Sequence, residues 1–235
     1  MLVMSERVTD HLPKTEKYSP KQRLWYIRAK EVIISSGSIE RPLVFGNNDT
    51  PGVMLSSAAK EYLKIYGVLV GKKPLIFTNN DSGYETAIEF KKNGINPIIL
   101  DTRKDPNSEI IKEAKDLNIN IKFSHVVVAA KGYKKVKSAD IAKISDDKKD
   151  IGSIENIKCD CICVSGFWTP TIHLASQSGN KTKFNEEIDA FVPSKSKQKE
   201  TTLGSANGIF TLEETLKTSF EKGNELSKQI TNKEN

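Results

Sequence analysis

The residues of this chain best suited to chemistry are small ones that follow apolar runs. Val32, Ile33 and Ile34 fall straight into Ser35, Ser36 and Gly37, and Gly204, Ser205, Ala206, Asn207 and Gly208 precede a helical pattern. A buried strand ending without bulky side chains lets the backbone approach a flat or phosphorylated ligand. In open α/β sheets such ligands lie beyond the carboxyl ends of the strands and are usually dinucleotides. Small residues before a helix leave N–H groups facing a phosphate, and the helix dipole favours its charge. Glu40 and Arg41 follow the first run. They read as an ion pair locking the loop, or as a planar guanidinium set against a phosphate.

A second set of candidates is Asn80, Gly83 and Asp101. The turn after residues 74–78 stands where a G-x-G-x-x-G turn would open a helix, but Thr78 and Asn80 occupy its first two glycine positions and only Gly83 fits. Asp101 lies at the distance at which a strand-end carboxylate reaches a ribose hydroxyl. Gly166 closes another apolar run, with Trp168 and Pro170 shaping the turn behind it. Asn47, Asn48 and Asp49 before Pro51 and Gly52 read as turn chemistry. Cys159, Cys161 and Cys163 alternate, which predicts one shared face of a strand and small core residues; no second thiolate pair accompanies them as in zinc sites. His11, His125 and His173 are isolated. No nucleophile–base pair, carboxylate pair or metal set stands out, so neither catalytic nor metal residues are assigned.

The elements that must position these residues come from 235 residues, enough for one large or two small domains. The net charge is +6, but lysines interleave with Asp and Glu and no basic stripe carries aromatics, so nucleic acid is not expected as a partner. No apolar run approaches a membrane span. Three cysteines without a secretory signal point to a reducing, cytoplasmic setting.

Residues 1–22 read as polar, with a short helix remnant, and 24–34 as a hairpin or bent strand. Periodicity predicts a helix over 51–66. Residues 73–101 read as a βαβ unit: a strand at 74–78, a helix at 84–93 closed by Gly94, and a strand at 96–100. A helix at 108–117 and strands at 119–123 and 126–130 follow. Residues 131–149 read as a hairpin with a solvated turn, 157–164 as a buried strand, 181–200 as a loop with Phe184 and Phe191 tucked beneath it, and 209–228 as a last helix with a frayed tail. The pattern predicts that Ile34 and Val164 share a sheet and that Gly37, Gly166 and Gly204 meet at one crevice.

The run SSGSIERPLVF…NNDTPGVML, from Ser35 onward, resembles the A-T-G-A-x-E-R-P segment of the α subunit of heterotetrameric sarcosine oxidase, with Ser35 and Ser36 in place of alanine and threonine. The resemblance continues through RLWYIRAK, FTNNDSGYETA, VSGFWTPTIHLASQSG and GSANG. It implies an α/β, FAD/NAD(P)-binding Rossmann-like fold of the two-dinucleotide-domain flavoprotein type. Residues 1–66 and 151–235 would form a partial outer domain, and 67–150 an inserted Rossmann-like domain. The family's upstream G-x-G-x-x-G segment and its carboxyl-terminal aminomethyltransferase-like domain are not in this sequence, which implies a partial chain.

The resemblance also implies oxidative demethylation of sarcosine with oxygen as acceptor, the one-carbon unit passing to tetrahydrofolate. NAD would sit in this subunit, FAD and FMN in the assembled enzyme, and β, γ and δ subunits would complete a heterotetramer. By the same resemblance Ser35, Ser36, Gly37, Arg41, Gly166 and Gly204–Gly208 would be the cofactor-binding residues. Other readings are an α subunit of a related opine, proline or cyanide-forming dehydrogenase, and a non-catalytic, nucleotide-free structural module.

Overall fold

The computed structural model describes residues 1–147 and 149–231. It divides into two compact units, unit 1 comprising Met1–Ser38 with Pro170–Asn235, and unit 2 comprising Ile39–Thr169. The chain enters unit 1 through an antiparallel hairpin, β1 (Leu2–Arg7) with β2 (Gln22–Ile27), and reaches the short strand β3 (Val32–Ile34). Residues 6–12, expected as a helix remnant, end β1 and turn, because Glu6 and Arg7 pair with Arg23 and Gln22 across the hairpin.

Strand β4 (Ser38–Glu40) leads into unit 2. There follow β5 (Val53–Leu55), α1 (Ser56–Tyr66), β6 (Pro74–Thr78), α2 (Ser82–Lys92), β7 (Ile98–Asp101), α3 (Glu109–Asp116) and β8 (Asn120–Phe123). A meander of β9 (His125–Lys131), β10 (Ser138–Lys143) and β11 (Glu155–Lys158) then precedes β12 (Cys161–Ser165) and β13 (Trp168–Pro170). Five of these strands form an all-parallel sheet in the order β5-β12-β6-β7-β8. Its two central strands, PLIFT and CICVS, are buried at every position. That is why they read as continuous apolar runs rather than as alternating ones.

Period-two alternation divides the core between the two faces of this sheet. Leu75, Phe77, Ile162 and Val164 pack with the meander residues Val127, Ala130, Ala139 and Ile141. Ile76, Ile99, Cys161 and Cys163 pack beneath the helices with Ala59, Tyr84, Phe90 and Ile111. Each fully buried aliphatic or aromatic side chain contributes about 1.5–3 kcal/mol.

The three cysteines do not share a face. Cys159 joins the meander side while Cys161 and Cys163 join the helix side, because β12 begins only at Cys161. Burial pushes the Cys159 thiol up to about 12, with Cys161 and Asp160 adding to it. A hydrogen bond with Cys161, followed by burial, raises Cys163 as well. Unfolded thiols ionise from about pH 9 while the folded ones keep their protons. This stabilisation is therefore complete below pH 9 and is lost as pH rises towards 12. Urea titrations at rising alkaline pH should show stability falling by about 1.4 kcal/mol per pH unit for each such thiol. Cys159→Ala should flatten the slope, and an unchanged slope in that variant would refute the assignment.

Two further expectations are corrected here. Residues 53–55 form β5 rather than the first turn of a helix, since Val53, Met54 and Leu55 pair with Ile162, Cys163 and Val164. Ile34 and Val164 lie in different sheets: β12 is built into the five-stranded sheet, whereas Ile34 belongs to a separate two-stranded ribbon. The compact units divide the chain at 38/39 and 169/170, and β5 and β12 both belong to the sheet of unit 2.

Unit 1 resumes with α4 (His173–Gln177), a hairpin of β14 (Thr182–Asn185) with β15 (Ala190–Pro193), and β16 (Glu200–Thr202). A 3-10 turn (Gly204–Asn207) and α5 (Leu212–Thr231) complete it. The expected loop at 181–200 is thus partly a hairpin. Phe184 and Phe191 face each other across it, ring centroids 5.3 Å apart, and remain about half exposed rather than tucked beneath.

Candidate functional site

Two places satisfy the rule that ligands lie beyond the carboxyl ends of parallel strands. The first is in unit 1. Strand β16 lies parallel to β3, in the register Glu200 with Val32, Thr201 with Ile33 and Thr202 with Ile34. The chain therefore leaves both strands at the same end, and Leu203 N donates to Ile34 O at 2.9 Å. Ser35, Ser36 and Gly37 follow one strand and Gly204–Gly208 the other, so these two small-residue turns are brought together.

Both turns are built for close approach. Ser36 Oγ donates to Thr171 O at 2.6 Å, and Thr171 N donates to Gly37 O at 2.9 Å, which fixes the first turn. Gly37 takes φ +76°, and a Cβ there would meet nothing within 4 Å, so the space above it is open. Gly204 takes φ +65° and starts the 3-10 turn, whose first N–H groups have no intrahelical acceptor. Thr202 Oγ1, just before it, is buried without a hydrogen-bond partner among the described residues. A groove of about 810 Å³ reaches this end of the ribbon, lined by Val3, Ile33, Ser35, Ser36, Leu174 and Glu200 among others.

The expected dipole contribution at residues 204–208 is corrected. The long helix α5 begins only at Leu212, and its first turn already carries Glu213 and Glu214. Acidic residues in a first turn already complement the positive end of the helix dipole. What the Gly204–Gly208 turn offers is its own backbone N–H groups.

The second place is in unit 2, where the strand order reverses between β6 and β12. Here the crevice is lined by engaged side chains. Thr78 Oγ1 donates to Asn80 O at 2.9 Å and accepts from Asn80 N at 3.1 Å. Asn80 Nδ2 donates to Ser165 O at 3.0 Å and to Ser165 Oγ at 3.2 Å. Asn80 Oδ1 accepts from Ser82 N at 2.9 Å and from the Ser82 hydroxyl. Trp168 Nε1 donates to Ser82 Oγ at 3.3 Å.

Asp101 is fully buried at the end of β7. Tyr84 Oη donates to its Oδ2 at 2.7 Å, and Arg103 engages both of its oxygens, with Nη2 at 2.8 Å from Oδ2 and Nε at 3.1 Å from Oδ1. Arg103 Nη1 also reaches Asp81 Oδ1 at 2.8 Å. Burial first, then the hydrogen bond to Asp101, raises the Tyr84 phenol well above its ordinary value. Arg103 and Tyr84 were not singled out from sequence; an Arg two residues beyond a strand-end Asp was the available signal.

Glu40 and Arg41 also belong to unit 2. Glu40 is buried and its Oε2 accepts from Ser57 N at 2.8 Å, capping α1, which has no local cap of its own. Arg41 straps the end of β12. Its N donates to Phe167 O at 2.8 Å, its O accepts from Gly166 N at 2.6 Å, and its Nε donates to Gly166 O at 3.1 Å. Gly166 and Arg41 are thus placed with Asn80, Gly83 and Asp101 in unit 2, whereas Gly37 and Gly204 are in unit 1. Among the described residues no group of three or more His, Cys, Asp or Glu side chains is placed to hold a metal, and no helix is long and apolar enough to cross a membrane.

Comparison with known proteins places this geometry. No protein-family model matches the chain. Among solved structures, it resembles thioredoxin reductase of T. acidophilum with a TM-score of 0.61, at 19% identity over 77% of this chain and 59% of that one. The thioredoxin reductase of Lactococcus lactis gives 0.59, at 17% identity over 81% and 60%. The fold is therefore the α/β, FAD/NAD(P)-binding Rossmann-like fold. Among curated sequences, the sarcosine oxidase subunit alpha of Rhizobium meliloti (strain 1021) is 35% identical over 80% of this chain and 18% of its own length. Those of Corynebacterium sp. strains P-1 and U-96 are 31% and 30% identical over 84% and 92% of this chain, and 20% and 23% of their own lengths. The chain spans about a fifth of the length of these relatives. Over that fifth, its sequence is similar to that of sarcosine oxidase α subunits.

Proposed function

We propose that this chain is a nucleotide-binding portion of the α subunit of a multi-subunit, flavin-dependent sarcosine oxidase, and that it holds NAD at the carboxyl end of the β3–β16 ribbon. The observation that carries this is the parallel register of Ile34 with Thr202, which sets Ser35–Ser36–Gly37 beside Gly204–Gly208. Gly37 and the N–H groups opening the Gly204 turn suit the pyrophosphate, and Ser35 adds a hydroxyl to the same turn, that of Ser36 being bonded to Thr171 O. In this reading unit 1 is part of the outer dinucleotide domain and unit 2 is the inserted one.

The complete enzyme would oxidise sarcosine with oxygen as acceptor and pass the one-carbon unit to tetrahydrofolate, with FAD and FMN held in the enzyme that β, γ and δ subunits complete. The flavins would supply the redox chemistry, and this chain would bind and orient a nucleotide. A hetero-oligomer is further supported by apolar surface in unit 1. Val3, Met4, Trp25 and Tyr26 are exposed on the hairpin, and Leu212, Leu216 and Phe220, spaced four residues apart, form an exposed stripe along α5.

The test is to incubate the purified chain with NAD, FAD and FMN together, wash it, and identify the retained nucleotide by mass. NAD is the expected product, retained in about one-to-one ratio by a one-site scaffold. Gly204→Val, which forces a β-branched side chain into φ +65°, should abolish retention. Retention of a flavin alone, or unchanged retention by folded Gly204→Val, would reject this site.

A further inference from the structure

We propose that unit 2 keeps the topology of a dinucleotide-binding unit but closes its own crevice with a side-chain plug, so that it takes up no dinucleotide. The proposal does not depend on NAD binding in unit 1. It rests on four observations at the reversal point between β6 and β12.

The first is the fate of the backbone donors. A pyrophosphate at a strand–turn–helix junction is gripped by N–H groups at the helix start. Here Asn79 N donates to Ser165 O at 3.3 Å, Asn80 N to Thr78 Oγ1 at 3.1 Å, Ser82 N to Asn80 Oδ1 at 2.9 Å and Tyr84 N to Asp81 O at 3.0 Å. These four donors of the turn and helix start are spent on the protein itself.

The second is volume. Glycines in such a turn leave room for the ligand. The room left by Gly83 is taken by Thr78, whose Cβ and Oγ1 would lie 2.7 Å from a Cβ at position 83. Asn80 fills the next position and ties β6 to β12 through Ser165.

Charge is the third. The turn and the first helical turn carry Asp81 and Glu85, so the helix terminus already has anions of its own. Asp81 is paired with Arg103, and Glu85 with Lys60 at 2.5 Å.

The fourth concerns the ribose. Asp101 stands where a carboxylate would receive ribose hydroxyls, but both of its oxygens are held by Arg103 and one also by Tyr84. An incoming sugar would have to displace a charge-assisted pair in a buried position. Arg103 and Tyr84 thus supply from within the protein what a nucleotide would otherwise supply.

The experiment is hydrogen exchange on the full chain, with and without millimolar NADH or NADPH, read over residues 77–84 and 99–104. No slowing is expected there in the natural chain. In Asn80→Gly/Ser82→Ala, checked for native circular dichroism, removal of the plug should slow exchange at both segments, corresponding to at least about a tenfold gain in affinity. Protection of these segments in the natural chain would overturn the proposal, as would a folded double variant that gains none. Exchange over 33–37 and 202–208 reports separately on the unit 1 site, so the two readings fail independently.

Discussion

Arg103→Ala is expected to lower the unfolding free energy by about 3 kcal/mol, the low end of the 3–5 kcal/mol found when one partner of a buried ion pair is removed. Asp101 has no solvent exposure, and the variant leaves its carboxylate, among the described residues, with the Tyr84 hydroxyl and the backbone N–H of residue 103 as donors. The estimate sits at the low end because the Arg103 side chain is 31% exposed, so water already screens part of the pair. The second ion pair of Arg103 decides little. Asp81 is 43% exposed, and such a pair contributes well under about 1 kcal/mol.

Arg103→Lys should fall between, because a point charge cannot engage both carboxylate oxygens as a fork does. Asp101→Asn/Arg103→Leu removes both charges together and should recover most of the loss. Urea unfolding of the four proteins followed by tryptophan fluorescence measures the series. A loss below about 1 kcal/mol in Arg103→Ala would mean that Asp101 is not held as described.

The parallel unit was legible in the sequence for a definite reason. Residues 74–78 and 98–101 are apolar runs too short for helices, and Gly94, at φ +80°, ends the helix between them. The same logic failed where patterns coincide. Val53, Met54 and Leu55 satisfy a helical stripe as well as a buried strand, and only their pairing with β12 decides between the two. Cys159 broke the alternation because β12 starts at Cys161, four residues after the start of the strand expected at 157–164, and residues 157 and 158 belong to β11.

The candidate site was legible by half. Two small-residue turns could be read as strand ends, and the ribbon does bring Ser35–Gly37 to Gly204–Gly208. Sequence could not show which sheet each strand joins, and Val164, just before Gly166, lies in the five-stranded sheet rather than beside Ile34. Nor could it show that Asn80 and Asp101 are consumed by Ser165, Ser82, Arg103 and Tyr84, since those bonds cross from 17 to 85 residues of chain or depend on a side chain turning back.

Gly166→Ala should produce the larger effect of two glycine substitutions whose costs have different origins. A Cβ at Gly166 would lie 2.6 Å from Arg41 O, 3.0 Å from Pro42 O and 3.1 Å from Pro42 C, all backbone atoms that cannot rotate away. Relief requires moving the Arg41 strap. That move strains the bonds from Gly166 N to Arg41 O, Arg41 N to Phe167 O and Arg41 Nε to Gly166 O. The expected cost is about 2–3 kcal/mol, from overpacking and weakened buried hydrogen bonds. Because Ser165 precedes Gly166 and anchors Asn79 and Asn80, hydrogen exchange should also quicken over residues 79–82. Gly37→Ala meets nothing within 4 Å and pays only for φ +76°, about 1–2 kcal/mol. Urea unfolding of both variants ranks them. If Gly37→Ala proves the more costly, or exchange at 79–82 is unmoved in Gly166→Ala, the strap does not hold the end of β12 and the plug loses its anchor.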